Sequence, residues 1–175
     1  MNDFNYIWMQ YRKNAWGKDT FRPKSGGSDE SFGGISLFLI DNLDSLFFMS
    51  SPDLFDEAKA SIMGKKLPPE KKNVRTAVML SNILGSLLSI YETSMDDDFL
   101  QKATTVGEEI LAAFSYREEK FPYTYFNYDE GEGEVVQDAI ELGDALTISE
   151  LIRLSQLTGD DRFAQATEPI ISFLE

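Results

Sequence analysis

The 175-residue chain contains neither cysteine nor histidine. Those two absences remove most familiar catalytic chemistry. Without thiols there is no disulfide and no thiolate nucleophile. Without imidazole there is no Ser-His-Asp triad and no ordinary zinc or haem site. Any chemistry must use carboxylates, hydroxyls, lysine, arginine or tyrosine. Basic residues are scarce as well: 16 Lys and Arg stand against 30 Asp and Glu, a net charge of −14. So acidic a surface repels phosphate backbones and anionic lipid, which argues against nucleic acid and membrane surfaces as partners. The longest apolar run, around Leu37 to Met49, is too short and too acidic to span a bilayer. The opening MNDFNYIW has no basic leader and no small-residue cleavage site, so no signal peptide is read. Lack of cysteine leaves the compartment open.

What is present is a core: 42% hydrophobic and 13% aromatic residues exclude disorder, and the length suits one domain. Helical periodicity dominates. Phe4, Ile7, Trp8, Tyr11 and Ala15 form one stripe, predicting a first amphipathic helix. GKDTFRPKSGGSDESF, from Gly17 to Phe32, reads as loop. A second helix is expected over GGISLFLIDNLDSLFFM, a third from Ser51-Pro52-Asp53 to Met63, a fourth from Val74 to Tyr91 and a fifth from Asp96 to Tyr116. FPYTYFNY (Phe121 to Tyr128) alternates and predicts an extended or hairpin arm, followed by an acidic turn, DEGEGE. Two more helices close the series, from Asp138 to Leu157 and from Asp160 onward. A weak repeat pairs Phe55 with Ala58, Leu100 with Ala103 and Phe163 with Ala166. The unit is an αα-hairpin, so a bundle, a solenoid or part of an α/α barrel is expected.

Within the second helix, Asp41, Asn42, Asp44 and Ser45 share one arc at about 100° per residue. A buried unpaired carboxylate is costly, so this facet must meet water, a cation or backbone N–H groups. Arg12 and Arg22 are candidate partners. Glu141 and Asp144 lie near a helix start, where the dipole favours them. The aromatic arm, which holds Asn127, offers faces for sugar rings but equally for packing. The acidic turn lacks EF-hand spacing and reads as solvated loop. Ser81, Gly85 and Ser89 form a small-residue stripe that close helix packing explains.

Four stretches in order resemble glycoside hydrolase family 47, the class I α-1,2-mannosidases. They are YRKNAWGKDTFRPKS (Tyr11 to Ser25), GGISLFLIDNLDSLFFM (Gly33 to Met49), LGSLLSIY (Leu84 to Tyr91) and ELIRLSQLTGD (Glu150 to Asp160). The resemblance implies an all-α fold of αα-hairpins from an (α/α)7 barrel, here a partial toroid: one domain over 1–175 forming the N-terminal part of a larger barrel. It implies inverting hydrolysis of α-1,2-mannose on N-glycans, in the lumen of the secretory pathway, with calcium at the barrel floor. Inverting chemistry needs an acid and a water-activating base set apart. The family's acid position falls on Val78, counting back from Tyr91 without a gap, and its arginine on Asn82. Valine donates no proton, so this chain alone is expected to be inactive. The calcium-ligand motif and the general base belong to the family's later portion and are absent here. A mannose-containing glycan or glycoprotein is the implied partner, and a second chain or the remaining half of the barrel would complete the toroid. Glu141, Asp41, Asp44 and Asn127 are the substrate-binding candidates, and no metal ligand is assigned. The alternative is a non-catalytic αα-hairpin module that binds glycan or protein.

Overall fold

A computed structural model describes residues 2–49, 51–69, 73–114, 121–134 and 147–175. The chain divides into two compact units, Met1–Pro69 and Glu70–Glu175. Both are mostly helical, each with a small antiparallel sheet.

In the first unit α1 spans Asn2–Asn14. Its stripe buries Trp8, Tyr11 and Ala15, while Ile7 is 52% exposed and does not belong to it. Trp8 meets Trp16 edge-on, and Tyr11 stacks on Phe38 at 4.3 Å, so the aromatic face of α1 clamps the next helix. The segment expected to be loop contains a hairpin: β1 (Thr20–Arg22) pairs with β2 (Gly27–Asp29) around Gly26, whose φ of 67° favours a residue without a Cβ.

The second predicted helix is shorter and broken. Gly33, Gly34 and Ser36 all have positive φ, so α2 begins only at Leu37 (Leu37–Asp41). Asn42 then turns its Nδ2 onto the Phe38 carbonyl, a local bond that competes with the helical ladder, and α3 (Leu43–Phe48) follows. Ile35, Leu39, Ile40, Leu43 and Leu46 are all fully buried. Removing about five such side chains from water is worth roughly 1.5–3 kcal/mol each, which explains why the segment is apolar nearly all round. α4 (Pro52–Met63) starts with Pro at its first turn and buries Phe55, Ala58 and Ile62.

In the second unit β3 (Asn73–Arg75), β4 (Tyr125–Asn127) and β5 (Glu132–Glu134) form one antiparallel sheet. Two expectations change here. The fourth helix does not include Val74, which sits in β3 opposite Phe126. The acidic stretch is not only a solvated turn either, because Glu132–Glu134 is a strand. The reason is Gly133, which lies opposite Phe126 and under the Tyr123 ring, where any Cβ would collide.

α5 (Thr76–Val78) runs into a π-helical turn, Met79–Leu84, and then α6 (Gly85–Ser94). Ser81 donates its hydroxyl to the Ala77 carbonyl at 2.8 Å within this irregular stretch. α7 (Asp97–Ile110) is capped by the Asp96 carboxylate, which accepts from the Asp98 N–H. Its apolar face uses Phe99, fully buried, rather than the half-buried Leu100 of the predicted repeat. Gly107 lets α7 approach closely: a Cβ there would overlap Leu154 and lie 3.1 Å from Phe163. Leu154 belongs to α8 (Ser149–Thr158) and Phe163 to α9 (Asp161–Gln165). Last comes α10 (Glu168–Leu174), so the final predicted helix is interrupted around Ala166 and Thr167.

Candidate functional site

The residues singled out from the sequence fall in both units. Asp41, exposed, ends α2, and Asp44, half-buried, stands in the first turn of α3, on the two sides of the break at Asn42. The arginines considered for them are engaged by other carboxylates. Arg12 donates through Nε and Nη2 to Glu57 at 3.0 and 2.9 Å, and Arg22 donates to Asp29 at 3.1 and 2.9 Å. Glu141 and Asp144 lie outside the described residues. Asn127 is buried and committed to its own turn. Its Oδ1 accepts from the Asp129 and Glu130 N–H groups, and its Nδ2 donates to the Glu130 carboxylate at 2.7 Å. Val78, half-buried, closes α5 beside the π-helical turn.

The aromatic arm is used for packing. Tyr123 stacks on Phe126, which meets Tyr128 edge-on at 4.9 Å, while Phe121 packs on Phe173. Burial pushes the Tyr128 phenol far above its usual range. Tyr125 alone among the arm's ring residues is exposed beyond a third of its surface, at 37%.

Two features escaped the sequence reading. The first is Asp19, only 1% exposed. Its Oδ2 accepts from the N–H groups of Phe32 (3.0 Å) and Gly34 (2.7 Å), and its Oδ1 from Leu37 (3.3 Å). Leu37 opens α2, and Ser36 supplies no side-chain cap, so Asp19 serves as a remote cap and ties the loop to the helix. Nearby, Ser36 donates to the Gly17 carbonyl and accepts from Lys65 Nζ at 2.6 Å. Tyr11 donates its hydroxyl to the Lys18 carbonyl and accepts from the Gly17 N–H, and burial pushes the phenol up to about 12. These contacts account for Tyr11, Gly17 and Asp19 within the Tyr11 to Ser25 stretch.

The second is an open cleft of about 370 Å³ between α6 and α8. Gly85, Ser89 and Glu92 line one wall, two turns of one helix face; Glu150 and Arg153 line the other. Ser149 donates to Glu150 Oε2 at 2.8 Å. Glu150 Oε1 lies over Gly85, about where a side chain at 85 would begin, and receives no hydrogen bond from the described residues. Arg153 donates through Nε and Nη2 to Glu92 and through Nη1 to Gln156. Gly85 and Ser89, two of the three residues of the small-residue stripe, face this cleft, and Ser81 does not line it. A carboxylate with one open oxygen, a guanidinium and two or three hydroxyls can hydrogen-bond vicinal hydroxyl groups. Among the described residues no group of three or more His, Cys, Asp or Glu is arranged to hold a metal ion.

A family model described as glycosyl hydrolase family 47 matches residues 3–175. The chain belongs to this family. Among curated members, a mannosyl-oligosaccharide 1,2-alpha-mannosidase (MNS1) of Arabidopsis thaliana is 29% identical over 97% of this chain and 31% of its own length. The endoplasmic reticulum mannosyl-oligosaccharide 1,2-alpha-mannosidase of Homo sapiens is 36% identical over 95% of this chain and 24% of its own length. The structure of an alpha-1,2-mannosidase from Trichoderma reesei superposes with a TM-score of 0.85 at 21% identity, over 98% of this chain and 38% of that one. The family-47 chain thus shares its mostly helical fold with a mannosidase of known structure, and it spans about a quarter to a third of the curated relatives it matches.

Proposed function

We propose that this family-47 chain is a portion of an (α/α)7 barrel that holds a mannose-containing glycan without hydrolysing it by itself. The observation that carries the reading is the residue at the acid position. A π-helical turn holds one residue more than an α-helical one, so the count from Tyr91 back through Met79–Leu84 reaches two adjacent positions. The acid position then falls on Val78 or on Ala77, and neither can donate a proton. The cleft between α6 and α8 supports retained binding, because Glu150 Oε1 is open to a ligand hydroxyl and Gly85 leaves room for one. Its volume is near the lower end of the roughly 300–1,000 Å³ of small-molecule sites, which suits one or two sugar rings. The relatives' names support mannose as the sugar. Because the chain spans only part of those relatives, hydrolysis by a complete barrel would draw its base and calcium from residues outside this sequence, in cis or from a second chain.

The test is a titration of the chain with methyl α-mannopyranoside and an α-1,2-linked mannobiose, with hydrolysis followed in the same samples. Binding without hydrolysis is expected. Glu150→Gln should weaken it by about ten-fold, the loss of one charge-assisted hydrogen bond. Gly85→Ala should weaken it too while leaving the fold intact, since the new Cβ would lie 3.5 Å from the Glu150 side chain, an ordinary contact. Hydrolysis by the chain, or binding indifferent to both substitutions, refutes the reading.

A further inference from the structure

We infer that the Glu92–Arg153 ion pair is a charge filter that restricts the α6/α8 cleft to neutral sugars. The inference rests on the cleft being a glycan site and adds which glycans it takes. Two features of the cleft attract anions, and each is already answered by a protein carboxylate. Arg153 is the one cation among the described residues that line it. All three of its guanidinium nitrogens are engaged, Nε and Nη2 by Glu92 and Nη1 by Gln156. The other feature is the N-terminus of α8, whose aligned N–H groups carry partial positive charge, and Glu150 stands in that first turn. With Glu92 and Glu150 against Arg153 the lining carries a net charge of −1 (two acids, one base). A phosphorylated or carboxylated sugar would enter an acidic cleft in an acidic protein, where Glu92 already balances the charge of the guanidinium and leaves it only two N–H groups to offer. A neutral hexose meets no such barrier.

Glu92 and Arg153 come from helices 61 residues apart in sequence and tie the two walls together at one end of the cleft. Their side chains are 39% and 49% exposed, so removing the pair changes stability little, as for most surface ion pairs. The pair can therefore be taken apart without unfolding the protein, which a thermal melt of each variant verifies.

The experiment titrates the 175-residue chain with methyl α-mannopyranoside and with mannose 6-phosphate, for the wild type, Glu92→Gln and the double variant Glu92→Gln/Arg153→Met. The wild type should favour the neutral sugar. Glu92→Gln should cut that preference by roughly ten-fold or more, because the freed guanidinium gains a charge-assisted bond to phosphate. The double variant, having lost the cation, should return the phosphate affinity to the wild-type level. A wild type that binds both sugars equally, or a Glu92→Gln variant whose preference does not move, overturns the filter while leaving neutral-sugar binding standing. A wild type that binds neither sugar overturns the filter and the glycan reading together.

Discussion

Replacing Asp19 by asparagine probes the most heavily bonded buried carboxylate described in the chain. The native side chain is 1% exposed and accepts three backbone N–H bonds, two of them at 3.0 Å or less. Asparagine keeps the shape but substitutes an NH₂ donor for one carboxylate oxygen, so it turns a donor against donors. If the NH₂ takes the Oδ2 place, the Phe32 and Gly34 N–H groups both lose their acceptor. Leaving a buried donor unsatisfied costs about 1–3 kcal/mol. Relief of the desolvation of a buried charge offsets part of this, and a net loss of about 2–4 kcal/mol is expected. Asp19→Ala removes every acceptor and should cost at least as much. The loss should be local first: urea denaturation gives the total, and hydrogen exchange resolves the amides of Phe32, Gly34 and Leu37, whose protection should fall before that of Leu43 or Leu46. A change below about 0.5 kcal/mol, or unaltered exchange at those three amides, would refute the capping role of Asp19.

Gly107→Ala should destabilise the second unit by about 1–3 kcal/mol in urea denaturation, because the added Cβ overlaps the Leu154 side chain, which must repack within a filled core. Asn127→Ala should cost about 1–2 kcal/mol by freeing the N–H groups of Asp129 and Glu130, with faster exchange confined to the β4–β5 turn. Tyr11 gives a pH signature. Its folded phenol is raised to about 12, above an unfolded value near 10, so its contribution is complete below about pH 10 and is lost as pH rises towards 12. Tyr11→Phe, measured by denaturation from pH 9 upward, should flatten that alkaline decline while losing about 1 kcal/mol at neutral pH, because the Gly17 N–H loses its acceptor.

The helices were legible because their cores are periodic. The stripe of Trp8, Tyr11 and Ala15 and the burial of Phe55, Ala58 and Ile62 follow directly from apolar residues spaced by three and four. Among the strands only β4 was legible, inside the alternating arm Phe121 to Tyr128; the others were not, because each is three residues long and a sheet of that size is stabilised by particular contacts such as Tyr123 over Gly133. The break at Asn42 and the π turn at Met79 to Leu84 depend on side-chain bonds to carbonyls, which leave no periodic trace. The motifs carried the family, yet they did not carry the geometry. Asp19 looked like one letter of a loop motif until its three N–H partners were brought to it from residues 13 to 18 positions away. The cleft joins Gly85 to Glu150, and helix packing alone accounted for its small-residue wall until the facing helix was known. The turn bonds of Asn127 were equally invisible in the sequence, because its partners at Asp129 and Glu130 are set by the backbone turn and not by any spacing pattern.

The most direct measurement places the chain with an α-1,2-linked mannobiose and calcium and follows binding and bond cleavage in one sample by nuclear magnetic resonance. Ligand signals that broaden with the wild type and recover with Glu150→Gln, with no free mannose above the buffer control, are the predicted result. Mannose released in proportion to the amount of chain would contradict the account, because neither Val78 nor Ala77 can supply the proton that cleavage requires.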